Sequence, residues 1–328
     1  MINVGNVGIV GLGDYLPKKI LTNADLEKMV DTTDEWITTR TGIKERRIAR
    51  DDEATSDLAA AAAKDALKDA KIRPEDIDLI IVATITPDML FPSTSCVVQS
   101  KIGAKKAACF DISAACSGYI YAMATAVQFI KNGVYQNALI IGAEKLSSIT
   151  DWQDRNTCVL FGDGAGAAVL GSTAKNSIVS IYLGSDGNQA DLLRMPAGGS
   201  RIPASHESID KRLHFLKMEG SEVFKIAVRV MADAAMKAVN GFGLKAEDVN
   251  LVIPHQANIR ILMAVAKRMG LSEDKIYLNI EKYGNMSGAS TAVALTEAVK
   301  EGRVKRGDIV VLDAFGSGFT WGSIVIKW

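Results

Sequence analysis

The chain has 328 residues, 48% of them hydrophobic and 6% aromatic, and its 38 Lys plus Arg balance 38 Asp plus Glu. That apolar content excludes a disordered chain and suffices for about two domain-sized units. A net charge of zero gives no global field for nucleic acid, so a charged partner has to meet a local patch.

The first segment, MINVGNVGIVGLGDYLP at 1–17, has no basic stretch ahead of its apolar residues and reads as a strand rather than a secretory leader. Trp36 and Arg40 fall four apart on a predicted helix and share a face. TSDLAAAAAKDALKDA at 55–70 predicts a charged amphipathic helix, and DLIIVAT at 78–84 a strand. Residues 112–130, ISAACSGYIYAMATAVQFI, form an uncharged run without leucine but with many small or polar residues. A central helix buried in protein fits it better than a membrane span. Gly133 suits the cap of that helix, and ALIIGAE at 138–144 predicts the next strand. FGDGAG at 161–166 is followed by no GK[ST], so a tight turn packed between sheets is expected there rather than a phosphate loop.

The second half repeats this order. EDVNLVI at 247–253 matches EDIDLII at 75–81, SGASTAVALTEAVKEG at 287–302 matches SGYIYAMATAVQFIKNG at 117–133, and FGSGFT at 315–320 matches FGDGAG. A helix at 223–239, a strand at 250–255 and a strand at 308–314 complete it. The period is too long for a solenoid. We expect two duplicated α/β halves, 1–176 and 177–328, in layered sheets, with the small-residue helices 117–131 and 287–300 side by side between them.

The four cysteines, Cys96, Cys109, Cys116 and Cys158, form no CxxC pair, which argues against zinc, and they are expected as reduced thiols in the cytoplasm. Cys116 stands at the start of a small-residue helix, where backbone N–H groups and the macrodipole favour a thiolate. Local context leaves it open between a small packing residue and a nucleophile. His255, in IPHQAN, follows a strand, where ligand sites gather in α/β folds; His206 and His214 lie in a charged segment and read as surface residues. Asn285, in YGNMSGAS, reads alone as a helix N-cap, and beside Cys116 and His255 as a donor to an oxyanion.

ACSG at 115–118, HQAN at 255–258 and GNMSGAS at 284–290 resemble the β-ketoacyl-acyl-carrier-protein synthase III enzymes of bacterial fatty acid synthesis. DEWITTRTGI at 34–43, FGDGAGA at 161–167 and FGSGFTWG at 315–322 fit the same pattern, so the resemblance spans nearly the whole chain. It implies the thiolase-like fold in α-β-α-β-α layers, a homodimer, and a triad of Cys116, His255 and Asn285. It also implies decarboxylative condensation of a short acyl-CoA with malonyl-acyl-carrier protein, without metal or redox cofactor, nucleic acid or membrane. The backbone N–H groups of Cys116 and Ser317 would hold the oxyanion, Ser317 standing where family members often carry Gly. Trp36 would stack on the CoA adenine, with Arg40 and Arg155 nearby, and Phe91 would reach the partner subunit's acyl pocket. Arg260 and Lys267, and Lys225 and Arg229, would share helix faces toward the acidic carrier protein. No Cys follows Cys158 and no His follows His255, which sets the chain apart from degradative thiolases and from elongating condensing enzymes. The rival readings are a papain-like protease, which shares the order Cys, His, Asn but not the surroundings of its thiol, a non-catalytic binding protein of the same fold, and an acyltransferase of secondary metabolism.

Overall fold

In the computed structural model, which describes residues 7–328, the apolar runs become strands buried on both faces. Ile80, Val82, Leu139 and Ile141 pack to one side, while Leu79, Ile81, Ala138 and Ile140 pack to the other. Nine strands form one sheet: β1 (Val7–Tyr15), β2 (Leu79–Ala83), β3 (Ala108–Ile112), β4 (Asn137–Lys145), β5 (Asp163–Ser172), β6 (Ser177–Ser185), β7 (Leu251–Pro254), β8 (Ile309–Gly316) and β9 (Thr320–Lys327). Their order is β7-β8-β9-β6-β1-β5-β4-β2-β3. The expected N-terminal strand is thus present as β1, and its first six residues lie outside the described residues.

The repeat in the sequence is a repeat in topology. β2 and β4 are parallel, and β5 then β1 follow antiparallel; β7 and β8 are parallel, and β9 then β6 follow antiparallel. β3 has no full counterpart, because Ile276 makes only an isolated parallel bridge to Val252. The two sets of strands touch through one register pair, Gly8 with Ser177, supported by Ile9 N donating to Asn176 O at 3.1 Å.

Among the described residues, seven helices of eight or more residues surround these strands: α1 (Asp34–Thr41), α2 (Thr55–Ala70), α3 (Thr94–Ile102), α4 (Gly118–Lys131), α5 (Gly220–Gly241), α6 (Ile259–Met269) and α7 (Gly288–Lys300). α2 and α3 cover the outer face of the first set of strands, and α5 covers the outer face of the second with α6 beside it. α4 and α7 touch strands of both sets and each other, which gives the expected five layers. α7 is seated on bare backbone: a methyl at Gly142 would lie 2.5 Å from Gly288 O, and one at Gly166 2.5 Å from the Ala292 methyl. FGDGAG is therefore not a tight turn. Its glycines belong to the entry of β5, where helix and strand approach too closely for side chains.

The halves differ in their connections. β8 turns into β9 through residues 317–319, whereas residues 146–162 separate β4 from β5. Buried Asp151 ties that longer excursion to the segment after β6 through Arg212 and through Lys217 at 3.3 Å, and these bonds hold its carboxyl down at about 2. Arg46, fully buried, donates to Val159 O at 2.8 Å and Asn23 Oδ1 at 2.9 Å, anchoring the same excursion from the other side.

Candidate active site

A cleft of about 840 Å³ opens where β7, β8, the start of α4 and the start of α7 converge. Cys116, His255 and Asn285 line it together, with Phe315 and Gly316 at its floor and Trp36, Arg40, Lys225 and Arg260 further out. Phe91, Arg155, Arg229, Lys267 and Ser317 do not line it. A larger groove of about 1120 Å³, between α4, β6 and the end of α5, contains none of the candidate residues.

Cys116 sits in a 3-10 turn, Ala115–Ser117, ahead of α4 rather than inside its first turn. Ala115 adopts φ of 46° to make the bend, and Ser117 Oγ pins it through Ala114 O at 2.7 Å and Thr320 Oγ1 at 2.7 Å. A methyl on Gly316 would stand 2.6 Å from Cys116 N, so only glycine lets β8 approach the nucleophile's amide. The expected lowering of the thiol pKa is not what dominates here. Burial pushes it up to about 12, with the Ser287 hydroxyl acting downward and the Glu144 carboxyl upward.

His255 leaves β7 with its amide donating to Asp313 O at 2.7 Å. The residue is 2% exposed, its Nδ1 is buried without a partner, and burial pushes the imidazole down to about 3, so it is neutral. With no acceptor at Nδ1, the tautomer protonated on Nε2 avoids a buried orphan N–H. Asn285 is held by Asn285 N donating to Leu160 O at 2.9 Å and Gly162 N donating to Asn285 O at 3.0 Å. Its Oδ1 accepts from Ser287 N at 2.8 Å, so the amide group left over is the NH₂ donor. The N-cap of α7 is Ser287, not Asn285.

Trp36 and Arg40 do share a face of α1, capped by Thr33. The Arg40 and Arg155 guanidiniums lie 4.8 and 4.7 Å from the indole centroid, and Arg155 also reaches Asp31 at 3.3 Å. The slot expected for a flat base is thus filled by the protein's own arginines. Ser317 keeps an ordinary φ, and its hydroxyl donates to Leu193 O, leaving its backbone free of left-handed strain. Phe91 is 84% exposed at a loop tip beside Leu90. Arg260 stands 6.0 Å from the Phe224 ring centroid, while Lys225 pairs with Glu222 at 2.7 Å. His206 is exposed as expected, but His214 is half-buried against Ser208 Oγ at 2.9 Å.

Two residues were not marked by the sequence. Glu144, the end of ALIIGAE, is fully buried, and its carboxyl accepts from Thr86 Oγ1 at 2.7 Å, Thr84 Oγ1 at 3.1 Å and Ile85 N at 3.1 Å. Burial pushes it up to about 7. Ser287 is 1% exposed with φ of 48°, its hydroxyl is buried without a hydrogen-bond partner, and it acts downward on the pKa of both Cys116 and Glu144. A strand ending in a carboxylate was the one available signal. Among the described residues, no group of three or more His, Cys, Asp or Glu is placed to hold a metal ion.

The family model described as 3-Oxoacyl-[acyl-carrier-protein (ACP)] synthase III matches residues 110–187, and the model of its C-terminal part matches residues 240–328. The chain is 61% identical to the beta-ketoacyl-[acyl-carrier-protein] synthase III of Caldanaerobacter subterraneus subsp. tengcongensis, over 98% of this chain and 97% of that one. It is 55% identical to the same-named protein of Clostridioides difficile, over 98% of each. Its structure resembles the crystal structure of 3-oxoacyl-[acyl-carrier-protein] synthase III from Aquifex aeolicus with a TM-score of 0.91 and 50% identity, covering 98% of this chain and 100% of the other.

Proposed function

Because the chain belongs to the 3-oxoacyl-[acyl-carrier-protein] synthase III family, we propose that it is the acyltransferase that condenses a short acyl-CoA primer with malonyl-acyl-carrier protein and so starts fatty acid synthesis. The observation that carries this reading is the convergence of Cys116, His255 and Asn285, from three distant segments, on one cleft where the imidazole is neutral and the amide offers a donor.

In the first half-reaction the Cys116 sulfur attacks the thioester carbon of acyl-CoA. Charge develops on the carbonyl oxygen, which the N–H groups of Cys116 and Ser317 stabilise, and CoA leaves as the acyl group passes to sulfur. Trp36, Arg40 and Arg155 hold the nucleotide end of CoA, an Arg155 swing making room for the base beside the indole. In the second half-reaction the malonyl thioester oxygen accepts from His255 Nε2–H and Asn285 Nδ2–H. The bond to the carboxylate breaks, CO₂ leaves, and its electron pair becomes an enolate. The enolate carbon attacks the acyl-Cys116 carbonyl and expels the thiolate, giving 3-oxoacyl-carrier protein. Loss of CO₂ drives the carbon–carbon bond, so these steps draw on no metal or redox cofactor.

The two halves, 1–176 and 177–328, act as one unit in this reading, the first supplying the nucleophile and the second the two donors. Exposure of Leu90 and Phe91 supports a homodimer in which Phe91 completes the neighbour's acyl pocket. The reading places this work in the cytoplasm; no described helix is long and apolar enough to cross a membrane. The test is intact-mass spectrometry after incubation with acetyl-CoA. Wild-type protein should gain one acetyl group and Cys116→Ala none; an adduct of normal yield on the variant would sink the assignment.

A further inference from the structure

We propose that Ser287 and Glu144 form a proton relay for the Cys116 thiol, the Ser287 hydroxyl meeting the sulfur and Glu144 acting through it. This relay rests on the reading of Cys116 as the acylated nucleophile.

Three close approaches build the juxtaposition. A methyl on Gly288 would lie 3.4 Å from Ala115 O, which puts the start of α7 against the turn carrying Cys116. A methyl on Gly142 would lie 2.5 Å from Gly288 O, which puts the end of β4 against the same helix start. A methyl on Gly118 would lie 3.0 Å from the Ala83 methyl, which adds the end of β2, whose next residues bond Glu144. Ser287 therefore stands between Cys116 on one element and Glu144 on another. Its backbone is held at a left-handed φ of 48°, a strained conformation for a residue other than glycine, and its buried hydroxyl has no hydrogen-bond partner. A strained residue with an unspent hydroxyl beside a nucleophile is well explained if the hydroxyl moves a proton.

The nucleophile needs such help. Its thiol is pushed up to about 12, and the neutral His255, pushed down to about 3, is a weak proton acceptor. Glu144, pushed up to about 7, is the buried group nearest the pH at which a general base works best. The groups facing Glu144 are Thr84, Thr86, the Ile85 amide, Ser287 and Cys116. Lys145 turns away to the carbonyls of Arg50 and Glu53, and Asp163 is taken up by Ser147 and the Ala49 amide. While ionised, Glu144 also raises the thiol, so the two groups titrate as a pair, and transfer removes the charge that opposed it.

The step balances within the protein. The S–H bond of Cys116 breaks as its proton reaches the Ser287 oxygen, and the Ser287 hydroxyl proton passes to a Glu144 carboxylate oxygen. Ser287 ends as a hydroxyl, Glu144 as a carboxylic acid, and sulfur keeps the electron pair that attacks the thioester. When CoA departs as a thiolate, the proton returns along the same path and CoA leaves as the thiol.

The experiment is the pH–rate profile for alkylation of Cys116 by iodoacetamide, from roughly pH 5 to 10, read by intact mass on wild type, Glu144→Gln and Ser287→Ala, with Cys116→Ala as background. Wild type should show a shoulder near neutrality, where Glu144 deprotonates and the relay opens. Both variants should lose the shoulder, rise log-linearly with pH, and fall about 10²-fold at neutral pH, the lower end of what positioned proton transfer contributes. If Glu144→Gln does not fold, Ser287→Ala decides alone, because it leaves the bonds from Thr84, Thr86 and Ile85 intact. Three coincident profiles in a protein that still takes an acetyl group from acetyl-CoA would overturn the relay only. Failure of wild-type Cys116 to be acetylated would overturn the nucleophile assignment and the relay with it.

Discussion

A buried imidazole pushed down to about 3 carries no charge at neutral pH, so what His255 offers a thioester oxygen is a single N–H. Asn285 offers the other, because Ser287 N occupies its Oδ1 and fixes which end of the amide faces the cleft. In the proposed mechanism these two neutral donors meet the malonyl thioester oxygen and stabilise the enolate that develops there, while sulfur attack on acyl-CoA would draw on the backbone donors instead. His255→Ala and Asn285→Ala should therefore still acquire an acetyl group from acetyl-CoA, at least slowly. Each should lose malonyl decarboxylation by about 10²–10³-fold, the usual cost of one oxyanion-type donor. Radiolabelled CO₂ release from malonyl-carrier protein measures this, and a wild-type rate in either variant contradicts its role. At this scale the sequence was informative where residue type and chemistry coincide, as for the single histidine after a strand. It was silent on Ser287 and Glu144, since a serine in a glycine-flanked loop and a glutamate ending a strand acquire meaning only when α7 and β4 are brought together.

The elements were legible because their periods are strong. The helix expected over 55–70 runs Thr55–Ala70, and Gly133 and Gly302 follow α4 and α7 at φ of 71° and 70°, each donating back to the last turn. The order of strands and helices in each half was also present as a repeat. The glycines of FGDGAG misled for a physical reason: glycine serves tight turns and close packing alike, and a single sequence does not separate the two. Here packing decides. Gly166 faces the Ala292 methyl in the layer formed by α4 and α7. Gly166→Ala should therefore force α7 away from β5 and destabilise the protein by about 1–3 kcal/mol, the usual cost of overpacking. Urea denaturation measures it, and an unchanged midpoint would mean that α7 can shift freely. Should the protein fold, acylation should survive better than decarboxylation, because α7 positions Asn285 while Cys116 precedes α4.

Across the whole molecule the positive and negative charges cancel, so steering of an acidic carrier protein has to come from a local cluster. The second half supplies one. Arg260 stands in the first turn of α6, lining the cleft, and Lys267 lies two turns further along the same helix. Arg229 and Lys225 stand on α5, which packs against α6. Among the described residues Arg260, Lys267 and Arg229 are exposed and make no ion pair, whereas Arg268 is paired with Asp233 at 3.0 Å. Cations without partners on the helices beside the cleft keep their field for an incoming molecule. Arg260→Glu should lower kcat/KM for malonyl-carrier protein by about tenfold at low salt, within the range of electrostatic steering, and leave acetyl transfer from acetyl-CoA to Cys116 nearly intact. The defect should shrink as salt rises, because screening weakens the attraction that wild type enjoys and the repulsion that the variant suffers. Equal losses in both half-reactions would instead assign Arg260 to the cleft itself, through its stacking over Phe224.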